Sequence, residues 1–310
     1  MPMGRRKNSG NIHGWLVLDK PVGVTSTQAV SRARRYIGER KAGHAGTLDP
    51  MASGCLPIAF GEATKTVPYV MDSLKTYRFT ARWGIETDTG DTEGGVTAES
   101  DHVPGDAEID AALPRFVGLI RQVPPRYSAI KVDGARAYDL ARDGEEFDLR
   151  EREVEVAQLE RDGPTRDGET VLWCECGKGT YVRALVRDVA RALGTVGHIS
   201  ALRREAVGPF DEEDMIPLER LEEMWQTEAG QETLTGCLRP VETALDDIPA
   251  LAVDLSDANR LKNGQPVLLR GRDAPVLSGL VYATNHGRLV ALAEAERGEL
   301  HPKRVFNLPG

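Results

Sequence analysis

Between Gly43 and Gly54 the chain reads Gly-His-Ala-Gly-Thr-Leu-Asp-Pro-Met-Ala-Ser-Gly, setting His44 and Asp49 among three glycines and a proline. So many breakers rule out one regular element, and glycine lets a backbone come close to a bulky ligand. An imidazole and a carboxylate five residues apart could act on that ligand as acid and base. Asp49-Pro50 also fits an ordinary helix start, with Asp49 as N-cap and Pro50 at the first helical position. Spacing alone leaves both readings open. Further polar side chains fall at the expected ends of elements: Tyr77 on a strand, Lys131 after Pro124-Pro125, and Tyr181 and Arg183 in the first turn of a helix.

Other chemistries find no support. Gly177-Lys178-Gly179-Thr180 lacks the spacing of a nucleotide phosphate loop. Asp88-Thr89-Gly90 follows the polar pair Glu86-Thr87, unlike a buried aspartic-protease strand, and has no second copy. Asp88, Asp91 and Glu93 do not fit a calcium loop. The four cysteines show no zinc spacing, and reduced thiols suit a cytoplasmic protein. Cys174 and Cys176 are expected on opposite faces of one strand.

The elements that must position these residues can be read in order. Trp15 to Leu18 is a short strand. A helix follows in which Thr25 and Gln28 have capping-box spacing, Val30, Ala33 and Ile37 form the buried stripe, and Gly38 is the stop. Leu56 to Phe60 reads as a strand and Glu62 to Met71 as a helix. Lys75 to Trp83 alternates, with Tyr77, Phe79, Ala81 and Trp83 on one face. Ala107 to Gln122 has a helical pattern interrupted near Pro114, and Ala135 to Arg142 reads as a short helix. Glu153 to Leu159 and Thr170 to Cys176 are paired strands. Tyr181 to Leu193 is a helix, Ala201 to Val207 a strand and Leu218 to Trp225 a helix. From Leu251 the texture shifts to short strands and turns, such as Lys262–Gln265 and Gly271-Arg272-Asp273. A β unit of about 60 residues is near the size where a lone core is marginal. Strands and helices do not alternate regularly, so the class is α+β with a mostly antiparallel mixed sheet flanked by helices.

A chain of 310 residues with 40% hydrophobic content can bury a sizeable core. No apolar run approaches the roughly 20 residues of a membrane span. Residues 1–11 read as a disordered basic tip, not a secretion signal. The net charge of −9 argues against a nonspecific polyanion binder, yet nine Lys/Arg stand against Asp19 and Glu39 up to Lys41. A basic face on an acidic protein can still meet phosphate, because screening confines charge to about 10 Å.

Taken together and in order, five motifs carry a resemblance. Lys20-Pro-Val-Gly-Val-Thr-Ser26, the Gly43–Gly54 loop, Lys75–Asp91 with its Thr-Asp-Thr, Pro124-Pro-Arg-Tyr-Ser-Ala-Ile-Lys131, and Lys178-Gly-Thr-Tyr-Val-Arg183 resemble the TruB-type tRNA pseudouridine synthases of the bacterial stand-alone branch. The likeness spans roughly residues 12–250, and residues 251–310 resemble the PUA-type RNA-binding domain that follows.

The resemblance implies a pseudouridine synthase fold and the isomerisation of uridine 55 in the T loop of tRNA, with no cofactor and no metal. It makes Asp49 the nucleophile, a role in which a carboxylate can add and then leave. Arg183 would pair with Asp49 and aim it. Tyr77 would stack on the extruded uracil, and His44 would fill the vacated place, so His44 need not be a base. Gly43, Gly46 and Gly54 would let backbone approach the RNA, and Lys20 and Pro21 would support the loop. Lys20, His44, Lys131, Arg142 and Tyr181 are the expected RNA-binding residues. Residues 124–152 would be a flap gripping the T-arm stem-loop and ordering on binding. The implied protein is a cytoplasmic monomer with no obligatory protein partner. The alternatives are a tRNA-binding and folding protein, or a guide-RNA-dependent rRNA pseudouridine synthase subunit.

Overall fold

The computed structural model describes residues 11–128, 130–132, 134–269 and 278–309. Residues 1–10, in the expected basic tip, and the expected Gly271–Asp273 turn lie outside them.

Trp15, Leu16, Val17 and Leu18 are apolar without alternation and all are buried, as an interior strand covered on both faces requires. They belong to β1 (Gly14–Lys20). The chain continues through α1 (Ser26–Ile37), β2 (Ala42–His44), β3 (Ala52–Phe60), α2 (Val67–Asp72), β4 (Lys75–Trp83), β5 (Ile85–Thr87), β6 (Val96–Glu99) and α3 (Asp106–Ala112). Next come β7 (Gly118–Gln122), β8 (Lys131–Val132), β9 (Ala135–Arg136), α4 (Ala137–Arg142), β10 (Arg152–Arg161), β11 (Glu169–Cys176) and α5 (Val182–Ala192). Then follow β12 (Gly197–Val207), β13 (Ile216–Pro217), α6 (Leu218–Trp225) and α7 (Gly230–Gly236).

Nine strands form one sheet in the order β13-β1-β3-β12-β4-β11-β10-β7, with β2 also beside β3. The β1–β13 and β3–β12 pairings are parallel and the others antiparallel, the mixed α+β sheet expected. Helices α1, α3, α5, α6 and α7 bury Ala33, Ile109, Leu185, Leu221 and Leu234 in one core with Phe79, Ala81 and Trp83 of β4. The α1 start is the expected capping box: Gln28 N–H donates to Thr25 Oγ1 at 3.1 Å, and Thr25 N–H to Gln28 Oε1 at 2.9 Å. Gly38 ends that helix in the left-handed region, at φ +84°.

Three expectations are corrected. Residues 118–122 continue no helix; they form edge strand β7, paired with β10. Asp49-Pro50 starts no helix either, since a turn leads directly into β3. Cys174 and Cys176 lie two apart on β11, share one face and are both buried.

The C-terminal unit is a five-stranded sheet from β14 (Ala250–Ala252), β15 (Val267–Leu268), β16 (Gly279–Asn285), β17 (Arg288–Glu296) and β18 (Glu299–Val305), with an unforeseen helix α8 (Leu255–Lys262). Its small core is not left alone. Leu289, Leu292 and Phe306 join Trp15, Val17 and Cys55 in a cluster on the face of the main sheet opposite α1 and α5. Lys65 Nζ donates to the Val305 carbonyl at 2.6 Å, and Asn307 N–H donates to Glu62 at 2.7 Å, fastening the end of the chain to the first unit. No helix among the described residues is long and apolar enough to cross a membrane.

Candidate active site

The Asp49 turn is built from the Lys20–Ser26 segment. Ser26 Oγ donates to the Leu48 carbonyl at 3.0 Å and accepts from the Leu48 N–H at 2.9 Å. Gly23 N–H donates to the Pro50 carbonyl at 2.8 Å, and Ala52 N–H closes the turn on the Asp49 carbonyl at 3.1 Å. Lys20 is completely buried, and its ammonium donates to the carbonyls of Pro21 (2.9 Å), Val24 (2.7 Å) and Pro50 (3.5 Å). Burial pulls its pKa down to about 8, while Asp49 pushes it up and Arg204 pushes it down again. This is the position of a brace, matching the support role and leaving no face of Lys20 for RNA.

Arg183 comes from α5, whose start is held by a distant side chain: Gln122 Oε1 accepts from the Tyr181 N–H at 2.9 Å. The Arg183 side chain is 6% exposed, and both of its terminal nitrogens are engaged. Nη2 meets Asp49 Oδ2 at 2.7 Å and donates to the Tyr127 carbonyl at 2.9 Å. Nη1 donates to the Thr89 carbonyl at 2.8 Å and lies 3.4 Å from Asp91 Oδ2. The carboxylate is thus aimed by a permanent cation that is itself clamped on three sides. The Asp49 side chain remains 39% exposed and open to a ligand.

Asp49, Tyr77, Ser128, Tyr181, Arg183 and Arg204 line one cleft of about 310 Å³. A larger hollow of about 560 Å³ lies beside α2, but Asp72, Glu175, Asp246 and Asp247 give it an acidic lining that suits a polyanion poorly. Tyr77 is half-buried on the face of β4 shared with Phe79. Burial raises its phenol pKa, opposed by the charge of Arg204. Burial likewise raises Tyr181.

Of the expected residues, Asp49, Tyr77, Tyr181 and Arg183 come together here, with Lys20 behind the turn. His44 sits nearby on β2, opposite Ile58 and outside the cleft lining. Burial first and Arg204 second lower its pKa from the usual imidazole value, which favours the neutral ring. Its Nδ1 has no hydrogen-bond partner among the described residues. Lys131 and Arg142 are exposed in the segment 124–152, and neither is among the residues lining the cleft. The start of that segment is tied to α5, because Arg187 donates to the Val123 carbonyl at 2.8 Å and Arg183 to that of Tyr127.

Two residues escaped the sequence reading. Asp91 is buried; its Oδ1 accepts from Thr89 Oγ1 (2.6 Å) and Glu93 N–H (3.0 Å), leaving Oδ2 for Arg183. The density of Asp and Thr between Thr87 and Asp91 was the available signal. Arg204 is 1% exposed and donates to the carbonyls of Cys55 (2.7 Å) and Gly46 (3.1 Å), locking the loop to β12. Gly54 has φ +98°, and a Cβ there would overlap the Arg204 carbonyl oxygen. Gly54 therefore serves the close approach of β3 to β12, not an approach of RNA.

Comparison with known proteins returns pseudouridine synthases. Residues 34–182 match the TruB family pseudouridylate synthase N-terminal domain, and residues 183–246 the tRNA pseudouridylate synthase B C-terminal domain. A tRNA pseudouridine synthase B of Rhodopseudomonas palustris is 61% identical over 98% of this chain and 84% of that protein. One of Bradyrhizobium diazoefficiens is 62% identical over 98% and 89%. A chain in a solved Cbf5–Nop10–Gar1 complex superposes with a TM-score of 0.75 at 27% identity, covering 98% of this chain and 88% of its own. The chain belongs to the TruB family of pseudouridylate synthases.

Proposed function

We propose that this protein isomerises uridine 55 in the T loop of tRNA to pseudouridine, with Asp49 as the nucleophile. The pairing of Asp49 with Arg183 at 2.7 Å, at the mouth of a cleft walled by Tyr77, carries the reading. The N1–C1′ bond breaks, the uracil turns, C5 bonds to C1′, and the C5 proton leaves as N1 gains one. Asp49 adds to the nucleotide and departs, and Arg183 holds its direction throughout. Tyr77 offers its ring to a base taken out of its stack. His44, beside the cleft, fills the vacated place in the RNA. Lys131 and Arg142 on the flap meet phosphates of the T-arm stem-loop. The names of the relatives support tRNA as the substrate. The protein works as a cytoplasmic monomer without a guide RNA.

The test gives purified protein alone to an unmodified tRNA transcript and maps pseudouridine by carbodiimide labelling and primer extension. Modification confined to position 55 is expected. No product, or product only on addition of a guide RNA, would overturn the reading. Asp49→Asn should abolish turnover while tRNA binding stays within about 1 kcal/mol of wild type; substantial remaining activity would remove Asp49 from its role.

A further inference from the structure

Ser128 lines the cleft, yet the mechanism above gives it no task. The residue is 4% exposed, and its hydroxyl has no hydrogen-bond partner among the described residues. Its backbone is fixed on both sides: the N–H donates to the Arg126 carbonyl at 3.1 Å, and the carbonyl accepts from the Tyr138 N–H at 2.9 Å. The carbonyl just before it, that of Tyr127, accepts from Arg183 Nη2, the same nitrogen that holds Asp49. Ser128 thus follows directly on a group anchored two short contacts from the carboxylate. The Tyr181 phenol is close enough to feel this hydroxyl, which lowers its pKa against the stronger upward push of burial. No hydrogen bond joins the two side chains.

A buried hydroxyl left without a partner is costly, and it is tolerated where a ligand completes it. The reaction breaks and remakes a bond at C1′, so the part of the nucleotide beside Asp49 is the sugar, while the base lies on Tyr77. In an RNA chain O3′ and O5′ are esterified and O4′ only accepts. The 2′-hydroxyl alone can both donate and accept, as a serine hydroxyl does. We propose that Ser128 binds the ribose 2′-hydroxyl of the target uridine, so that the cleft checks for RNA at the reacting nucleotide. The inference rests on the proposed function.

Binding is measured with full-length Asp49→Asn protein, with Ser128 intact or replaced in Ser128→Ala. The probe is a labelled T-arm stem-loop carrying uridine or 2′-deoxyuridine at the target. With Ser128 present, the 2′-deoxyuridine RNA should bind about tenfold more weakly, the worth of one hydrogen bond. Ser128→Ala should weaken the uridine RNA by a similar factor and leave the 2′-deoxyuridine RNA unchanged. Equal losses on both RNAs, or none on either, overturn the proposal. Should Ser128→Ala not fold, equal binding of the two RNAs by the Ser128 protein overturns it without the variant. Wild-type protein is tested for conversion of the uridine RNA alongside. Absent conversion defeats the proposed function; conversion without the coupling defeats only the Ser128 contact.

Discussion

Asp91→Asn tests how Asp49, the proposed nucleophile, is aimed. Asp91 Oδ2 lies 3.4 Å from Arg183 Nη1, and both side chains are almost fully buried. At an effective dielectric of about 20, charges at that separation attract by roughly 5 kcal/mol before desolvation is counted. The amide keeps the shape but has one acceptor oxygen. Asp91 uses Oδ1 for Thr89 and Glu93 and Oδ2 for Arg183, so the new NH2 must face one donor or another. Removing one partner of a buried pair costs about 3–5 kcal/mol. Asp49 and the carbonyls of Thr89 and Tyr127 still hold the guanidinium, which leaves an expected loss of about 2 kcal/mol in aiming Asp49. That is a fall of about 30-fold in the chemical step. The assay is single-turnover pseudouridine formation at saturating enzyme, with tRNA affinity measured separately. The rate should fall while affinity stays within about threefold. A rate within about threefold of wild type would show that Arg183 aims Asp49 without Asp91, and would refute the reasoning.

Gly54→Ala places a Cβ against the Arg204 carbonyl at φ +98°; it should cost more than about 3 kcal/mol, and an unchanged urea midpoint would count against the close approach of β3 and β12. Lys20 titrates near 8 in the folded protein and near 10.5 unfolded. Between those values the unfolded chain binds more protons, so this lysine makes stability rise with pH; below about 8 it is charged in both states and its penalty is constant. Lys20→Met should therefore shrink the gain in urea midpoint from about pH 7.5 to about pH 9.5, and the same gain in both proteins would reject the assignment. Arg142→Ala should weaken tRNA binding and flatten its salt dependence by about one unit of slope, so an unaltered slope would place Arg142 away from phosphate.

What could be read in the sequence was what is local. The Thr25–Gln28 box, the Gly38 stop and the alternation of Lys75 to Trp83 each depend on neighbours a few residues away, and each is found in the structure. Gly118–Gln122 was misread because its strand character comes from pairing with Arg152–Val156, not from its own pattern: Leu119 is 77% exposed. Asp49 and Arg183 could be joined in advance only through the family resemblance, since nothing in spacing links residues so far apart. Arg204 left no mark, because an arginine in the charged run Arg203-Arg204-Glu205 looks like a solvated one. Its burial follows from lying between Gly54 and Tyr77 in adjoining strands.

The position of β3 has a consequence for how the protein is made. Its far end pairs with β2, close by in sequence, but Ala52–Gly54, next to Asp49, pairs with Leu202–Arg204. The Arg204–Cys55 hydrogen bond spans 149 residues. At about 5–20 residues per second the nascent chain waits roughly 7–30 s between making Asp49 and making the strand that fixes its turn. The Asp49 corner is therefore among the last parts of the first unit to be set. A pause in translation between residues 60 and 200 would prolong the time for which this sheet edge stands open to other chains.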